Sequence, residues 1–190
     1  MTSVVVVLRI VPLLAFAIAM CLAVPRHQRG AKTRSRESSV SRAPLVANFA
    51  AFGLYAASLL VFSRPTGSAA LWLASSGALL AVAGAAVVVR SRSELGAAWS
   101  LVPRADPGAG LVTTGPYGYA RHPIYLGFLL FAIGEALAFD SGPAVMIALF
   151  GVAPTFAWRA RTEEECLRRT FGDRYTVYQQ RTRMIVPYLL

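Results

Sequence analysis

Residues 111–127 read Leu111-Val-Thr-Thr-Gly-Pro-Tyr-Gly-Tyr-Ala-Arg-His-Pro-Ile-Tyr-Leu-Gly127 and place polar and aromatic side chains between a Gly-Pro turn and an apolar segment. Pro123 is suited to the first turn of a helix, because the N–H group that proline lacks has no helical partner there. The sequence therefore predicts a helix that starts next to His122 and carries Tyr125 in its first turn. Apolar runs fill most of the chain on either side, so we expect polar chemistry to concentrate here and in one later charged segment.

The composition is typical of a membrane protein and not of a soluble domain. The 190 residues are 56% hydrophobic and only 15% charged, which is unusual for a soluble domain. Three apolar runs reach the ~20 residues that a helix needs to cross a bilayer, and two shorter runs are separated by an Asp-Ser-Gly turn. The five runs cover residues 4–24, 44–62, 69–89, 124–139 and 143–158. We predict an all-α polytopic membrane protein with about five transmembrane helices, the last two forming a short helical hairpin, followed by a cytoplasmic C-terminal helical segment.

The charge distribution predicts how these helices are oriented. The net charge is +10, and the 19 Lys and Arg residues cluster in alternate connections, with six between the first two runs and seven from Arg159 to Arg183. By the positive-inside rule, the N-terminus lies outside the cell membrane and the C-terminus lies in the cytoplasm. We expect the basic residues to contact membrane lipids and anionic ligands, and we expect no nucleic-acid partner.

The third apolar run carries small residues at nearly four-residue spacing, at Gly77, Ala81, Gly84 and Ala85. Small residues on one face allow helix backbones to approach closely inside a membrane. We predict that this helix packs at the centre of the bundle.

The later charged segment reads Arg159-Ala-Arg161-Thr-Glu-Glu-Glu165-Cys-Leu167 and has two interpretations. Arg159 with Glu163, and Arg161 with Glu165, are four residues apart and could form ion pairs on one helix. Thr162 followed by Glu165 also fits a capping box, which would start a separate helix at this point.

Position suggests a function for the two polar segments. The carboxylates of Glu163, Glu164 and Glu165 would lie at the end of the second helix of the predicted hairpin, beside Arg121 and His122 at the start of the first. Such a pair of opposite charges can hold a zwitterionic ligand. The unpaired N–H groups at the start of the fourth helix could receive the carboxylate of that ligand. In the alternative interpretation Tyr117, Tyr119 and Tyr125 form an aromatic belt at the membrane interface, and His122 is a polar helix cap.

Four motifs together resemble a known family. They are Leu-Val-Thr-Thr-Gly-Pro-Tyr, Arg-His-Pro-x-Tyr-x-Gly, Arg-x-Glu-Glu-x-x-Leu and Phe-Gly-x-x-Tyr-x-x-Tyr, within residues 94–187. In order and spacing they resemble the isoprenylcysteine carboxyl methyltransferases and the wider phospholipid methyltransferase superfamily of integral membrane enzymes. The resemblance implies a methyltransferase-like catalytic region in residues 66–190. Residues 1–65 would form an N-terminal two-helix membrane segment with a basic cytoplasmic loop.

The resemblance also implies S-adenosylmethionine as the methyl donor and a lipophilic acceptor that enters from the bilayer. An Arg one turn before the cofactor-binding carboxylate is expected to face the acceptor. Alignment from Thr162 selects Arg161 and Glu165 for these roles, whereas alignment from Phe171 selects Arg159 and Glu163. The cofactor-binding residues implied by the resemblance are Gly110, Leu111, Val112, Tyr117, His122 and Tyr125, together with a carboxylate from Glu163, Glu164 and Glu165.

Glu135 is an ionisable residue in the middle of the fourth apolar run. A charged side chain at that depth costs roughly 2.5 kcal/mol or more on insertion, so Glu135 must be neutral, paired or close to water. One interpretation places it in the acceptor tunnel as a catalytic base. In the other it is protonated and hydrogen-bonded to Ser75, Ser76 or the backbone, or it is paired with Arg9.

The leading hypothesis is therefore an S-adenosylmethionine-dependent membrane methyltransferase that requires no metal. An Arg at the site favours a carboxylate acceptor, because an amine acceptor would need a base to remove its proton. The alternatives are an NADPH-dependent membrane reductase of the sterol or steroid type and a non-catalytic membrane scaffold. The identity of the acceptor, which could be isoprenoid-like or another lipid, and the oligomeric state stay open.

Overall fold

The computed structural model describes residues 2–22, 42–63, 68–96 and 110–186. Within these ranges the regular elements are helices, apart from one isolated parallel bridge between Ala120 and Arg183. The helices are α1 (Thr2–Leu22), α2 (Ala43–Phe62), α3 (Ser68–Leu95), α4 (Pro123–Ala138), α5 (Gly142–Ile147), α6 (Ala153–Phe171) and α7 (Asp173–Arg181). A 3-10 turn (Gly115–Gly118) precedes α4, and a π-helical segment (Ala148–Val152) joins α5 to α6.

The helices have the length and composition of membrane spans. In the described ranges, three helical stretches are long and apolar enough to cross a bilayer, namely Ala43–Phe62, Leu71–Leu95 and Gly142–Phe171. Ser3–Leu14 and Pro123–Ala138 are shorter apolar helices. The prediction of an all-helical membrane protein is confirmed for the described residues. Residues 26–41 of the predicted basic loop lie outside them.

Glycines bring α3 and α4 into backbone contact. A methyl group on Gly77 would lie 2.4 Å from the backbone nitrogen of Ala138, and one on Gly84 would lie 2.5 Å from that of Phe131. From the other side, a methyl group on Gly134 would lie 2.4 Å from the backbone nitrogen of Ala81. No larger residue fits at these positions without moving a helix, so the predicted close-packing face of α3 is confirmed.

The charged segment continues a membrane helix. Residues 142–171 form one helical stretch of 30 residues, through α5, the π-helical segment and α6. The hydroxyl of Thr162 donates to the backbone oxygen of Trp158 at 3.1 Å, within the helix. Of the two interpretations, the capping box that would start a helix at Thr162 is therefore wrong, because the side chain bonds back to the preceding turn instead of capping a new one.

Arg9 of α1 supports the end of α4. Its Nε donates to the backbone oxygen of Ala138 at 2.7 Å, and its guanidinium lies 5.3 Å from the ring centroid of Phe139. A cation at a helix C-terminus binds carbonyl groups that have no helical partner. Arg9 thus connects α1 to the turn between α4 and α5. In the same turn, the hydroxyl oxygen of Ser141 caps α5 by accepting a hydrogen bond from the backbone nitrogen of Ala144 at 3.4 Å.

Candidate active site

The Gly-Pro turn and Pro123 shape the entrance to α4 as the sequence predicts. Gly115 adopts a φ of 58°, which favours glycine, and Pro116 follows it in the 3-10 turn. His122 occupies the position just before the helix, and Pro123 is in the first turn. The side chain of His122 is only 7% exposed, so this turn directs an imidazole into the protein.

His122 begins a stack of three rings. Its ring lies parallel to that of Tyr125, with 5.4 Å between centroids and 4° between planes. Tyr125 in turn stacks on Phe156 of α6 at 4.8 Å and 14°. The stack joins the start of α4 to the middle of the charged helix and gives the site flat apolar walls.

Glu163 lies at the polar edge of this stack. Its Oε1 accepts a 2.5 Å hydrogen bond from the hydroxyl of Tyr125 and a 3.0 Å bond from Nε of Arg159. Its Oε2 lies 3.6 Å from Nδ1 of His122. The side chains of Arg159 and Glu163 are 11% and 19% exposed. Their ion pair therefore lies largely buried, in contact with the stack of three rings.

Glu164 shares His122 as a neighbour, with its Oε1 3.5 Å from Nε2 of the imidazole, but its hydrogen-bond partners differ from those of Glu163. Its Oε1 accepts from Nε of Arg121 at 2.6 Å, and its Oε2 accepts from the amide of Gln179 at 2.9 Å. Arg121 also donates to the backbone oxygens of Gln179 and Thr182. Glu164 therefore ties α6 to the segment before α4 and to α7, and its carboxylate is occupied by the protein.

Glu165 faces away from both clusters. Its side chain is 51% exposed and forms ion pairs with Arg169 at 2.8 Å and with Arg168 at 3.7 Å. Arg161 is exposed as well. Of the two predicted Arg–Glu pairs, the structure forms Arg159 with Glu163, and it gives Glu165 the partners Arg168 and Arg169 instead of Arg161.

The C-terminal segment covers the start of α4. The backbone N–H groups of Arg121 and His122 donate to the carbonyls of Arg183 and Met184, at 2.8 and 2.9 Å. The hydroxyl of Tyr178 donates to the backbone oxygen of Tyr117 at 2.7 Å. A backbone carbonyl therefore already uses the N–H of His122 at this helix start, and the docking of a ligand carboxylate there stays a prediction.

Burial keeps the tyrosines around this segment protonated. It raises the pKa of Tyr178 to about 12 and raises the pKa of Tyr117 as well, with nearby carboxylates as a smaller cause for both. Neutral hydroxyls can donate hydrogen bonds but cannot act as anionic bases near neutral pH.

Other predicted residues lie outside the cluster around Glu163. Gly110 is exposed with a φ of 75°, and Leu111 and Val112 are half-buried in the segment that leads to the 3-10 turn. Their predicted contact with a cofactor stays a prediction.

Glu135 follows Tyr125 by ten residues on α4, which corresponds to about 15 Å along the helix axis. The side chain is 1% exposed, and within the described part of the chain neither carboxylate oxygen has a hydrogen-bond partner. The expected bonds to Ser75, Ser76 and Arg9 are not formed: Ser76 and Arg9 donate to backbone oxygens. No hydrogen bond or ion pair joins Glu135 to the cluster around Glu163 among the described residues, and its role as a base in the acceptor tunnel stays a prediction.

Sequence reasoning missed two contributors, Phe156, which completes the ring stack, and Gln179, which bonds Glu164 from α7. It placed Arg121 opposite the three carboxylates but did not predict its direct bond to Glu164. The position of Phe156 could have been predicted from the sequence. It precedes Arg159 by three residues and Glu163 by seven, so the three side chains share one face of the helix. Arg121 and Gln179 are 58 residues apart, and no local pattern links them.

Comparison with known proteins shows what this chain is similar to. A sequence model described as phospholipid methyltransferase matches residues 72–174. The protein-S-isoprenylcysteine O-methyltransferase of Saccharomyces cerevisiae is 35% identical over 79 residues, which are 42% of this chain and 33% of that protein. The mouse protein of the same name is 27% identical over 120 residues, 62% of this chain and 42% of that protein. These matches thus span only about a third to two fifths of the relatives' own length.

A solved structure shows likeness of fold. It is the eukaryotic intramembrane Ras methyltransferase, an isoprenylcysteine carboxyl methyltransferase, and it superposes with a TM-score of 0.60 at 19% sequence identity. The superposition covers 92% of this chain and 62% of that chain. The chain therefore shares its fold with part of a larger protein.

Proposed function

The chain belongs to the phospholipid methyltransferase family, and we propose that it transfers a methyl group from S-adenosylmethionine to a lipophilic acceptor that reaches the site from the bilayer. A carboxylate is the favoured acceptor group. The family model spans both motifs of the cluster, the Arg-His-Pro start of α4 and the charged part of α6.

The observation that carries this proposal is the contact of Glu163 with Tyr125 and Arg159 beside the ring of His122. S-adenosylmethionine carries an ammonium and a sulfonium group, which suit a carboxylate and aromatic faces. The enclosed rings and the carboxylate fit such a ligand, and Nε2 of His122 is buried and forms no hydrogen bond within the described residues, with Oε1 of Glu164 3.5 Å away. Glu163, His122 and Tyr125 would hold the cofactor, with Tyr117 and residues 110–112 expected from the family motifs. When bound, the cofactor supplies an electrophilic methyl group.

Arg159 is the residue that would orient the acceptor. Its Nε is bonded to Glu163, its guanidinium lies 5.6 Å from the ring centroid of Tyr125, and the planar fork of a guanidinium matches the geometry of a carboxylate. A carboxylate acceptor is ionised at neutral pH, so the protein has no proton to remove. An amine acceptor would need a base, and the two carboxylates of this region with buried partners, Glu163 and Glu164, already accept hydrogen bonds from side chains of the protein. The chemistry of the cluster therefore favours O-methylation.

The contacts of the other predicted residues suggest different roles for them. We expect Glu164 to position the Arg121-His122 segment and not to bind the cofactor, because Arg121 and Gln179 occupy both of its oxygens. Arg161 and Glu165 would be surface residues. Glu135 would take no part in the methyl-transfer step.

The proposed topology follows the charge pattern. Five spans would be formed by α1, α2, α3, α4 and the stretch of residues 142–171, with the last two as a hairpin. The N-terminus would lie outside the cell membrane, and the cluster, α7 and the C-terminus would lie on the cytoplasmic side. Residues 1–65 would form the N-terminal membrane segment, and residues 66–190 would form the catalytic region.

Ligand binding to the purified protein tests the proposal. We expect calorimetry to detect S-adenosylhomocysteine and not NADPH, and we expect Arg159→Gln to retain this binding while methyl transfer is lost. Arg161→Gln is the matched control two residues away, and it should transfer methyl groups like the wild type. Binding of NADPH alone would indicate a reductase, and binding of neither ligand would indicate a scaffold; both results would overturn the proposal.

A further inference from the structure

The chain after α7 runs beside the point where α4 enters the membrane. The hydroxyl of Tyr125, in the first turn of α4, is bonded to Glu163. The start of this apolar helix therefore lies where the stretch of residues 142–171 changes from apolar to charged side chains. The backbone N–H of Arg121, just before α4, donates to the carbonyl of Arg183 at 2.8 Å. Arg183 is thus placed at the boundary between hydrocarbon and head groups.

α7 runs back towards this boundary. It begins after Gly172, which has a φ of 54° and follows Glu163 by nine residues, about 13 Å along the axis of α6. The guanidinium of Arg121 donates to the backbone oxygens of Gln179 and Thr182. These bonds bring the end of α7 to the start of α4. α7 therefore begins away from the membrane and ends at its surface.

The two faces of α7 differ in burial and in charge. The inner face is buried and consists of Tyr175, Tyr178 and Thr182. The outer face has the same spacing and carries Arg174, Val177 and Arg181, all exposed. Arg183 is exposed as well, and neither Arg181 nor Arg183 forms a hydrogen bond or ion pair among the described residues. The end of α7 therefore presents positive charge that no described carboxylate neutralises.

Tyr119 adds an aromatic ring to this charged surface. It is 67% exposed and directly precedes Ala120, which forms a backbone bridge with Arg183. Tyrosine is enriched at the level of lipid head groups, because its ring is apolar and its hydroxyl is polar. The surface therefore combines cations and an amphipathic ring at the depth where lipid phosphates lie.

We propose that Arg181, Arg183 and Tyr119 bind the phosphate of an anionic phospholipid. A guanidinium matches phosphate oxygens with two parallel N–H groups, and arginines at a membrane surface attract lipids of net negative charge. The lipid is a ligand separate from the methyl acceptor, and its binding does not depend on the proposed function. Because the carbonyl of Arg183 is bonded to the segment before α4, a lipid held there also fixes residues 182–186 against the start of α4.

Arg174 provides a matched control on the same face of α7. It is exposed and precedes Arg181 by seven residues, which places it about 10 Å farther from the membrane along the helix. That distance is roughly one Debye length at about 0.1 M salt, so its attraction to head groups is largely screened. Arg174→Gln and Arg181→Gln change the net charge equally, but only the second removes a ligand of the lipid.

Native mass spectrometry measures the lipid preference of protein released from nanodiscs that contain equal amounts of phosphatidylglycerol and phosphatidylcholine. The wild type should retain phosphatidylglycerol preferentially. Arg181→Gln and Arg183→Gln should each lower the ratio of bound phosphatidylglycerol to phosphatidylcholine about fivefold, the effect of one arginine at the surface. Arg174→Gln should leave the ratio unchanged.

Hydrogen exchange tests the effect on residues 182–186. The amides of Arg121 and His122, which are bonded to this segment, should exchange more slowly in nanodiscs with phosphatidylglycerol than in phosphatidylcholine alone. The Arg181→Gln/Arg183→Gln variant should show no such difference. Equal exchange of the wild type in both lipids would contradict the stabilisation of this segment.

Three results would overturn the lipid site. Equal lipid ratios in the wild type and in Arg181→Gln/Arg183→Gln would show that these arginines do not bind the lipid, and an equal drop in Arg174→Gln would show that only net charge matters. Displacement of phosphatidylglycerol by inorganic phosphate at constant ionic strength would assign the site to free phosphate. Failure of the proposed function is distinguishable, because the wild type would then not bind S-adenosylhomocysteine while its lipid ratio stays the same.

Discussion

Replacing each of three consecutive glutamates by glutamine separates cofactor binding from structural support. Glu163→Gln removes the charge that accepts hydrogen bonds from Tyr125 and Arg159 at 2.5 and 3.0 Å. Hydrogen bonds to charged groups contribute about 1.5–3 kcal/mol each. If the same carboxylate binds the cofactor, the loss of one such bond weakens binding of S-adenosylhomocysteine roughly 10- to 150-fold.

Glu164→Gln should act on stability instead. The side chains of Arg121 and Glu164 are 12% and 10% exposed, so this substitution leaves a buried guanidinium without an anion. Breaking a buried ion pair from one side costs about 3–5 kcal/mol, and because the glutamine oxygen still accepts a hydrogen bond we expect the lower end of that range. Glu165→Gln changes an exposed side chain and should stay within about 0.5 kcal/mol of the wild type.

Two measurements on each detergent-purified variant distinguish these effects. Calorimetric titration with S-adenosylhomocysteine gives the binding constant, and thermal unfolding without ligand gives the change in stability. We expect weak binding with near-normal unfolding for Glu163→Gln, early unfolding for Glu164→Gln and no change for Glu165→Gln. The reasoning would be refuted if Glu165→Gln lost binding while Glu163→Gln retained it, since the geometry assigns those carboxylates opposite directions.

Three further predictions concern packing, the buried acid and pH. Gly134→Ala should lower the free energy of unfolding by about 1–3 kcal/mol, because its methyl group would lie 2.4 Å from the Ala81 nitrogen; thermal unfolding checks this against Gly53→Ala, which meets no atom within 4 Å and should lose no stability. Glu135→Gln should keep wild-type methyl transfer, because residue 135 is about 15 Å along α4 from Tyr125. Loss of turnover with intact S-adenosylhomocysteine binding would instead support Glu135 as the base. Burial in the folded protein raises the pKa of Tyr178 from 10.0 to about 12. The contribution of its neutral hydroxyl to the stability of the fold is therefore complete below pH 10 and is lost as the pH rises through 12. The midpoint temperature of unfolding should fall across this range, and it should fall less in Tyr178→Phe than in the control Tyr119→Phe, which changes an exposed tyrosine.

The sequence predicts the elements that depend on local chemistry. Apolar runs identify the membrane helices, Pro123 marks the start of α4, and Gly77 with Gly84 marks the face that contacts another backbone. Each of these features requires only the properties of neighbouring residues. The structure agrees on the helix start at Pro123 and on the glycine face, and in the described ranges it gives three helical stretches long enough to cross a membrane.

The directions of side chains and the contacts between distant segments could not be predicted from the sequence. Successive residues on a helix point about 100° apart, so Glu163, Glu164 and Glu165 must face three ways, and only the packing of α4 and α7 decides which one faces the rings. The side chain of Thr162 is suited both to capping a new helix and to a hydrogen bond with the preceding turn. Because the helix continues through this position, it forms the bond to the preceding turn. The pairing of residue 120 with residue 183 joins distant segments that carry no matching pattern.

Methyl transfer in membranes that contain the protein tests the central claim most directly. Membranes are incubated with S-adenosylmethionine labelled in its methyl group, the lipids are extracted, and the extract is treated with mild base. The account predicts that label enters the extract, that base releases it as expected for an ester, and that Arg159→Gln abolishes this signal. Label that does not exceed the level in membranes without the protein, or label that resists base, would contradict transfer to a lipid carboxylate.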